Sequence, residues 1–297
     1  MSAVLRAKEH RSGPKSWYHS AMRRRLDLEL VRRGLTDSRA RAQEAIEAGL
    51  VLVSGTRADR AGRLVSPDEP VHLEAPAARY VSRGGEKLAA ALDRFALDVS
   101  GCRALDAGAS TGGFTDCLLQ HGAAAVLAVD VGTGQLAWSL RNDPRVTVRE
   151  RCNARYLTPG DVGEPVDLVV ADLSFISLRL VAPALAGVAR DGADAVFLIK
   201  PQFEAGRDQV RRGGLVTDPA VHLRVLEDVT AALGSSAGMA AVGIMPSPLR
   251  GASGNIEFLG HFRVRSTDAT PVGPAALTAA VEEARRVHVP PPTEPEA

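Results

Sequence analysis

Asp106-Ala107-Gly108-Ala109-Ser110-Thr111-Gly112-Gly113-Phe114 is the stretch on which the fold turns. It follows Arg103-Ala104-Leu105 and leads into Thr115-Asp116-Cys117-Leu118-Leu119. A short apolar segment, a glycine-rich turn and then apolar residues at helical spacing read as strand, loop and helix. The spacing predicts a strand over 103–107 and a helix over 113–121. Glycines at such a junction let the backbone pass close to a ligand.

The chemistry of the turn narrows the ligand. A dinucleotide fingerprint needs Gly-x-Gly-x-x-Gly, and position 110 is serine, so the loop does not obviously cradle a pyrophosphate. Asp106, just ahead of the first glycine, would repel phosphate and suits an ammonium. The next expected strand, 125–130, ends in Val129-Asp130-Val131. An acid about 20 residues on suits a ribose diol. Ammonium, ribose and no phosphate point to S-adenosylmethionine. Its expected contacts are Asp106, Gly108, Ser110, Thr111, Gly112, Gly113, Phe114, Asp130, Val131 and Asp172. A nicotinamide cofactor and a ligand-free α/β loop are the alternatives.

Outward from this stretch, strands and helices alternate. Strands are expected at 145–149, 167–172 and 194–200, with antiparallel candidates near 240–245 and 256–264. Helices are expected near 134–141, 178–190, 219–233 and 275–287, and another runs from Ser82-Arg83-Gly84-Gly85-Glu86-Lys87-Leu88 to about Phe95. The pattern is a doubly wound α/β sheet. The 297 residues, 45% hydrophobic and 24% charged, suit two soluble globular domains rather than a fibrous or disordered chain. The longest apolar stretches, 123–129 and 195–199, are far below the roughly 18 residues of a membrane span. The basic, polar start carries no apolar signal core, so a cytoplasmic protein is expected. Cys102, Cys117 and Cys152 are too few for a disulfide framework, and His72, His121, His222 and His261 form no spaced cluster for a metal.

The charge is uneven. Residues 1–63 hold 14 Lys/Arg against 7 Asp/Glu, and the remainder 22 against 28. A basic head on an acidic body suits a polyanion-binding module, unless it is a solvated helix pair. In that head, Leu26, Leu30 and Val31 recur at helical spacing up to Gly34. Thr36 or Asp37 can cap a second helix over 38–48, with Ala42, Ala45 and Ile46 inward. Short strands follow at Val51-Leu52-Val53 and Val71-His72-Leu73. Arg25-Leu26-Asp27, Leu30, Gly34-Leu35, Ser38-Arg39, Ala42, Ile46, Gly49 and Val51-Leu52-Val53-Ser54-Gly55 together resemble the S4 RNA-binding domain. The resemblance implies a grip on structured RNA, with Arg23, Arg24, Arg25, Arg32, Arg33, Arg39 and Arg41 as candidate phosphate contacts, joined by Arg83.

Only four of the 36 basic residues are lysine: Lys8, Lys15, Lys87 and Lys200. Arginine is this chain's ordinary cation, so the two lysines outside the N-terminal segment stand out. Lysine is the residue whose amine can release and take up a proton. Asp172 ends the fourth expected strand and Lys200 the fifth. Glu257 follows the glycine-bearing loop Pro246-Ser247-Pro248-Leu249-Arg250-Gly251-Ala252-Ser253-Gly254-Asn255-Ile256. Ligands in such sheets sit outside the strands' carboxyl ends. Lys87, Asp172, Lys200 and Glu257 are therefore expected to meet in one cleft, where an amine could take the proton of a ribose hydroxyl attacking a sulfonium methyl. Taken singly, each could be a surface ion, and Lys87 one more RNA-facing cation. Phe114, Phe175 and Phe203 follow strands one, four and five and could line the pocket or simply pack. No cysteine follows strands four or five, which argues against covalent attack on a pyrimidine ring.

Residues 22–264 as a whole resemble the hemolysin A (TlyA) family, an S4 domain fused to an FtsJ-like ribosomal RNA 2′-O-methyltransferase domain. The motifs are Ser82-Arg83-Gly84-Gly85-Glu86-Lys87-Leu88, the glycine turn, Asp130-Val131-Gly132-Thr133-Gly134-Gln135-Leu136, Asp172-Leu173-Ser174-Phe175, Lys200-Pro201-Gln202-Phe203-Glu204 and Gly254-Asn255-Ile256-Glu257-Phe258. The family's Lys-Asp-Lys-Glu tetrad falls on Lys87, Asp172, Lys200 and Glu257. The resemblance implies a Rossmann-like methyltransferase sheet with a small α+β S4 domain, and methylation of a cytidine ribose in ribosomal RNA of one or both subunits. From the residues themselves, no metal and no membrane partner are expected. The expected division is an extension 1–21, an S4-like domain 22–76, a linker 77–82, a methyltransferase domain 83–266 and a C-terminal helix and tail 267–297. A non-catalytic RNA-binding assembly factor is the rival reading, followed by the membrane-active protein that the family's older name suggests.

Overall fold

The computed structural model describes residues 23–74 and 78–288, in two compact units divided after Ala77. The expected extension 1–21 and the tail 290–297 lie outside the described residues.

The larger unit is built on seven strands: β1 (Arg103–Ala107), β2 (Ala125–Val129), β3 (Val146–Arg149), β4 (Val166–Ala171), β5 (Ala189–Ile199), β6 (Met239–Pro246) and β7 (Phe258–Val264). They lie in the order β6-β7-β5-β4-β1-β2-β3. The pairs among β3, β2, β1, β4 and β5 are parallel, whereas β7 runs antiparallel to both β5 and β6. Eight helices accompany them: α1 (Gly84–Arg94), α2 (Gly113–Gln120), α3 (Trp138–Arg141), α4 (Pro159–Val162), α5 (Leu178–Val188), α6 (Pro201–Glu204), α7 (Pro219–Ala237) and α8 (Pro274–His288).

Both faces of the sheet are covered, which is why its inner strands read as unbroken apolar runs. Along β4 and β5 the side chains alternate between two cores. Val169, Ala171, Phe197 and Ile199 pack with α5, α7 and α8 on one face, and Leu168, Val170, Val196 and Leu198 with α1 and α2 on the other. Strand order reverses between β1 and β4. Such a switch point opens a crevice at the strands' carboxyl ends.

Three details differ from the sequence reading. The helix expected over 134–141 shrinks to Trp138–Arg141. The backbone before it is held as loop, because the N–H of Gly132 donates to Asp130 and that of Gly134, at φ +68°, to Glu150. The expected linker is not free over residues 78–82. Tyr80 is buried against Gly85, and the N–H of Val81 donates to Asp116. The C-terminal helix belongs to the large unit, since Leu277, Val281 and Ala284 enter its core.

The smaller unit has helices Leu26–Arg32 and Arg39–Glu47, a sheet ordered Thr56–Arg57, Val51–Val53, Val71–Leu73, and a ladder pairing Arg24–Arg25 with Leu64–Val65. Leu26, Leu30, Ala42, Ile46, Val51, Val53, Val65 and Val71 form its core. Ser38, rather than Thr36 or Asp37, caps the second helix, accepting from the N–H of Arg41. Two carboxylates are buried under the surface. Asp27 accepts from Arg25, Arg39 and Gln43, and Glu29 from Arg32 and Arg33. Hydrogen bonds from Arg25 hold Asp27 far below the usual carboxylate range, and those from Arg32 hold Glu29 down at about 2. Arg33 also spends its guanidinium on the carbonyls of Ser66, Pro67 and Glu69. It is thereby a structural cross-link and not the free phosphate contact expected. Arg41 pairs with exposed Asp37, while Arg23 and Arg24 have no carboxylate within 4 Å among the described residues.

Candidate active site

A cleft of about 380 Å³ opens where β1, β4, β5 and β7 present their ends toward the N-terminus of α1. Its lining includes Lys87, Asp172, Lys200 and Glu257 together. Four residues separated by up to 170 positions therefore meet, as two ion pairs. Lys87 Nζ lies 2.5 Å from Glu257 Oε2, and both side chains are buried. Lys200 Nζ lies 2.6 Å from Asp172 Oδ1 and donates to Ser174 Oγ at 2.9 Å. The second pair is the more open, with 11% of the lysine and 26% of the aspartate side chain exposed.

Local backbone chemistry explains the placement. Asp172 is the first residue beyond β4, and its N–H donates to the Ala107 carbonyl at the end of β1. Gly108, at φ +83°, lets these ends touch, since a Cβ there would lie 2.7 Å from the Asp172 carbonyl oxygen. Lys200 precedes Pro201, which starts α6 and fixes the turn out of β5. Gly113 lets α2 approach α1, because its Cβ would fall 2.2 Å from Ser82 Oγ and 2.9 Å from the Gly85 nitrogen. That approach brings Lys87 over the strand ends.

A second pocket of about 530 Å³ adjoins the first, sharing Gly108, Ser110, Asp172 and Ser174. Its other walls include Asp130, Val131, Gln135, Cys152, Asn153, Ala154 and Phe175. Asp130 braces the glycine turn, accepting from the N–H of Ser110 at 2.8 Å and of Gly132 at 2.7 Å. Ser110 takes φ +48° to make that bond. Its amide is thus committed to a carboxylate and not open to a phosphate. A pocket walled by Asp130 and Asp172 fits a ligand carrying an amine and a diol, which is what S-adenosylmethionine offers, and disfavours a pyrophosphate.

Five expected cofactor contacts lie outside this second pocket, and two of them, Asp106 and Gly112, line neither pocket. Asp106 is wholly buried beneath the turn and lines neither pocket. Thr115 Oγ1 donates to its Oδ2 at 2.6 Å, and burial pushes its carboxyl up to about 7. It supports the loop from below rather than meeting an ammonium. Gly112, at φ +100°, faces Leu136 and Leu140, whose methyls leave no room for a Cβ, so it serves packing. Thr111, Gly113 and Phe114 line the reaction cleft instead, with Phe114 otherwise packed in the core. Phe175 is 91% exposed at φ +63°, its ring 5.2 Å from that of Phe203.

Several contributors were not singled out from the sequence. Ser174 holds Lys200, and Gly251 and Ala252 wall the cleft beside Glu257. Buried Glu204 accepts from Ser177 Oγ and the Leu178 N–H, tying the segment after β5 to the one after β4. Ser174 and Glu204 lie within motifs already quoted, but their partners are 26 or 27 residues away, and spacing alone does not reveal them. A further groove of about 510 Å³ between α7 and α8 is lined mainly by small and apolar residues with Glu227 as its one ionisable group, and holds no comparable chemistry. No helix among the described residues is long and apolar enough to cross a membrane.

Comparison with known proteins agrees with this geometry. The FtsJ-like methyltransferase family model matches residues 80–264, and the S4 domain model matches 24–71. The 16S/23S rRNA (cytidine-2′-O)-methyltransferase TlyA of Mycobacterium tuberculosis (strain ATCC 25618 / H37Rv) is 53% identical over 83% of this chain and 92% of its own. Hemolysin A of Brachyspira hyodysenteriae is 40% identical over 80% of this chain and 99% of its own. A solved structure from Streptococcus thermophilus, bearing a hemolysin name, superimposes with a TM-score of 0.69 at 41% identity, covering 90% of this chain and 98% of that one. With both domain models matched and a reaction cleft beside a cofactor pocket, the chain belongs to the TlyA family of S4-bearing, FtsJ-like, S-adenosylmethionine-dependent methyltransferases.

Proposed function

We propose that this protein methylates the 2′-hydroxyl of a cytidine in ribosomal RNA, with Lys87, Asp172, Lys200 and Glu257 as the catalytic set. The observation that carries the reading is the meeting of two lysine–carboxylate pairs on the wall of a cleft that adjoins a phosphate-averse cofactor pocket. The nucleotide and the RNA rest on the relatives, and the S4 domain supplies the RNA-binding module. Such a protein works in the cytoplasm, where ribosomal subunits are assembled.

S-adenosylmethionine, when bound, supplies an electrophilic methyl on a positively charged sulfur. Asp130 is placed for the ribose diol and Asp172 for the neighbouring positive charge. A ribose hydroxyl is a weak nucleophile at neutral pH, so it must be aligned and lose its proton as the oxygen–carbon bond forms. Lys200, in its uncharged amine form, aligns that hydroxyl through its lone pair and takes the proton. Asp172 and Ser174 fix its amine, and the Lys87–Glu257 pair closes the opposite wall.

Lys200→Ala should leave S-adenosylmethionine binding by calorimetry within a few-fold and abolish methyl transfer to ribosomal subunits purified from cells lacking this protein. Lys200→Arg should fail as well, because a guanidinium stays protonated. Transfer by either variant at near the normal rate overturns the assignment. Mapping ribose methylation in rRNA from cells with and without the protein tests the nucleotide.

A further inference from the structure

Beyond α6 the chain makes a tight hairpin. The Arg211 N–H donates to the Leu215 carbonyl and the Gly214 N–H to that of Arg211, with Gly213 and Gly214 both in the left-handed region. Arg211 and Arg212 stand exposed at its tip, with no carboxylate within 4 Å among the described residues. Their state contrasts with that of Arg25, Arg32, Arg33 and Arg39, each paired with a buried acid.

The hairpin is fastened to the cleft by one side chain. Asn255 is 2% exposed. Its Nδ2 donates to the Gly214 carbonyl at 2.7 Å, and its Oδ1 accepts from the Val216 N–H at 2.8 Å. Its own carbonyl accepts from Gly251, which lines the cleft, and Glu257 lies two residues on. The same loop carries a third arginine. Arg250 donates to the carbonyls of Gly254 and His288, and its own carbonyl accepts from Arg83 on the cleft wall. Arg83 and Arg250 likewise have no carboxylate within 4 Å among the described residues. Arginines without a carboxylate partner thus stand on the cleft wall, on the loop beside it and on the hairpin that Asn255 ties to that loop, and every internal ribose in RNA is flanked by two phosphates.

We propose that the Arg211-Arg212 hairpin grips the phosphodiester backbone next to the target nucleotide, and that Asn255 is a positioning residue that locks this grip in register with Glu257. This rests on the reading that the ribose enters the cleft between the two lysines. Exposed phosphate contacts made by arginine release counterions, so each one steepens the salt dependence of binding by roughly 0.7–0.9 in log–log slope.

The test measures binding of the full-length protein to 30S and 50S subunits from cells lacking it, across a salt series. Arg211→Gln with Arg212→Gln, both at exposed positions, should weaken binding at least tenfold at moderate salt and flatten the slope by about one to two. S-adenosylmethionine affinity and turnover at saturating subunit should hold, and the double lysine variant should regain most of the binding. Asn255→Ala, with both arginines intact, should lower turnover as well as subunit affinity while keeping cofactor affinity. Unchanged affinity and slope in the double glutamine variant overturn the proposal. Lys200→Ala separates the two readings, because it should stop transfer without changing the salt slope. An active Lys200→Ala sinks the catalytic reading whatever the hairpin does.

Discussion

Gly251→Ala puts a single methyl against the carboxylate of Glu257. A Cβ built at Gly251 lies 2.3 Å from Glu257 Oε1 and 3.0 Å from its Cδ. Ordinary carbon–oxygen contact needs about 3.3 Å, so Oε1 must withdraw by about 1 Å. Glu257 is 2% exposed, and its other oxygen holds Lys87 at 2.5 Å, so any retreat pulls against that pair. A retreat of about 1 Å stretches that bond to the edge of hydrogen-bonding range. Misplacing a reacting constellation by about 1 Å costs on the order of a hundredfold in rate. The clash sits at the end of one side chain, so the stability cost is of the overpacking kind, about 1–3 kcal/mol. Gly251 lies outside the larger pocket, so cofactor affinity should stay within a few-fold. The assay is methyl transfer to subunits at saturating cofactor, with calorimetric cofactor binding and a melting curve on the same samples. Shortening the acid should relieve the clash, so Gly251→Ala with Glu257→Asp should be more active than the product of the two single effects implies. A Gly251→Ala enzyme within threefold of the normal rate would refute the claim that the Lys87–Glu257 pair must be held in place.

Two further predictions concern pH. The Asp106 carboxyl is pushed up to about 7 by burial, so the folded protein keeps that proton where the unfolded chain has already lost it. Its contribution to stability is therefore full below about pH 4, declines as pH rises toward 7, and is gone above; Asp106→Asn removes the titration, so its melting temperature relative to the parent should climb by several degrees between pH 4 and 8, and a constant difference would count against it. Asp27 and Glu29 shift the other way, so the stability they confer is present above about pH 4.5 and lost as pH falls toward 2. Hydrogen exchange in the whole chain should show the Leu26–Arg32 and Arg39–Glu47 amides losing protection in that window, and Asp27→Asn with Glu29→Gln should have lost it already at pH 6.

The glycine turn was legible because its function is local. Strand, turn and helix occupy consecutive residues, and the serine at 110 already spoke against a pyrophosphate. The meeting of Asp172 and Lys200 was legible for a different reason, since both are the first residues beyond parallel strands, and the rule for strand ends places such residues at one edge. Asp106 misled, because a residue inside a strand points into one face or the other, and the sequence does not reveal that its face is the core under the turn. The arginines of the small unit show the same gap. Helical spacing puts Arg32 and Arg33 on a surface, but only the fold shows that Glu29 is buried beneath them and that Arg33 reaches carbonyls more than 30 residues away. Asn255 and Glu204 were opaque because the groups that give them meaning come from segments brought together only by the sheet.

The scarcity of lysine acquires a structural reason at the cleft. Lys200 forms an ion pair with Asp172 and donates a hydrogen bond to Ser174 Oγ from a single nitrogen. In the proposed reaction the uncharged amine turns its lone pair to the substrate hydroxyl, and the proton taken up goes to the same nitrogen that the two partners orient. A guanidinium would spread its donors over a planar fork, engaging Asp172 along one edge and leaving an edge that stays charged toward the substrate. At position 87 the argument is one of space. Glu257 is buried, with Gly251 kept bare beside it, and a compact ammonium reaches one carboxylate oxygen at 2.5 Å where a planar guanidinium would take more space. Arginine suffices wherever this chain needs a fixed positive charge, as in the pairs to Asp27 and Glu29. Lysine stands at two positions where a compact amine fits, and the proposed role of the more open one, Lys200, is to take a proton.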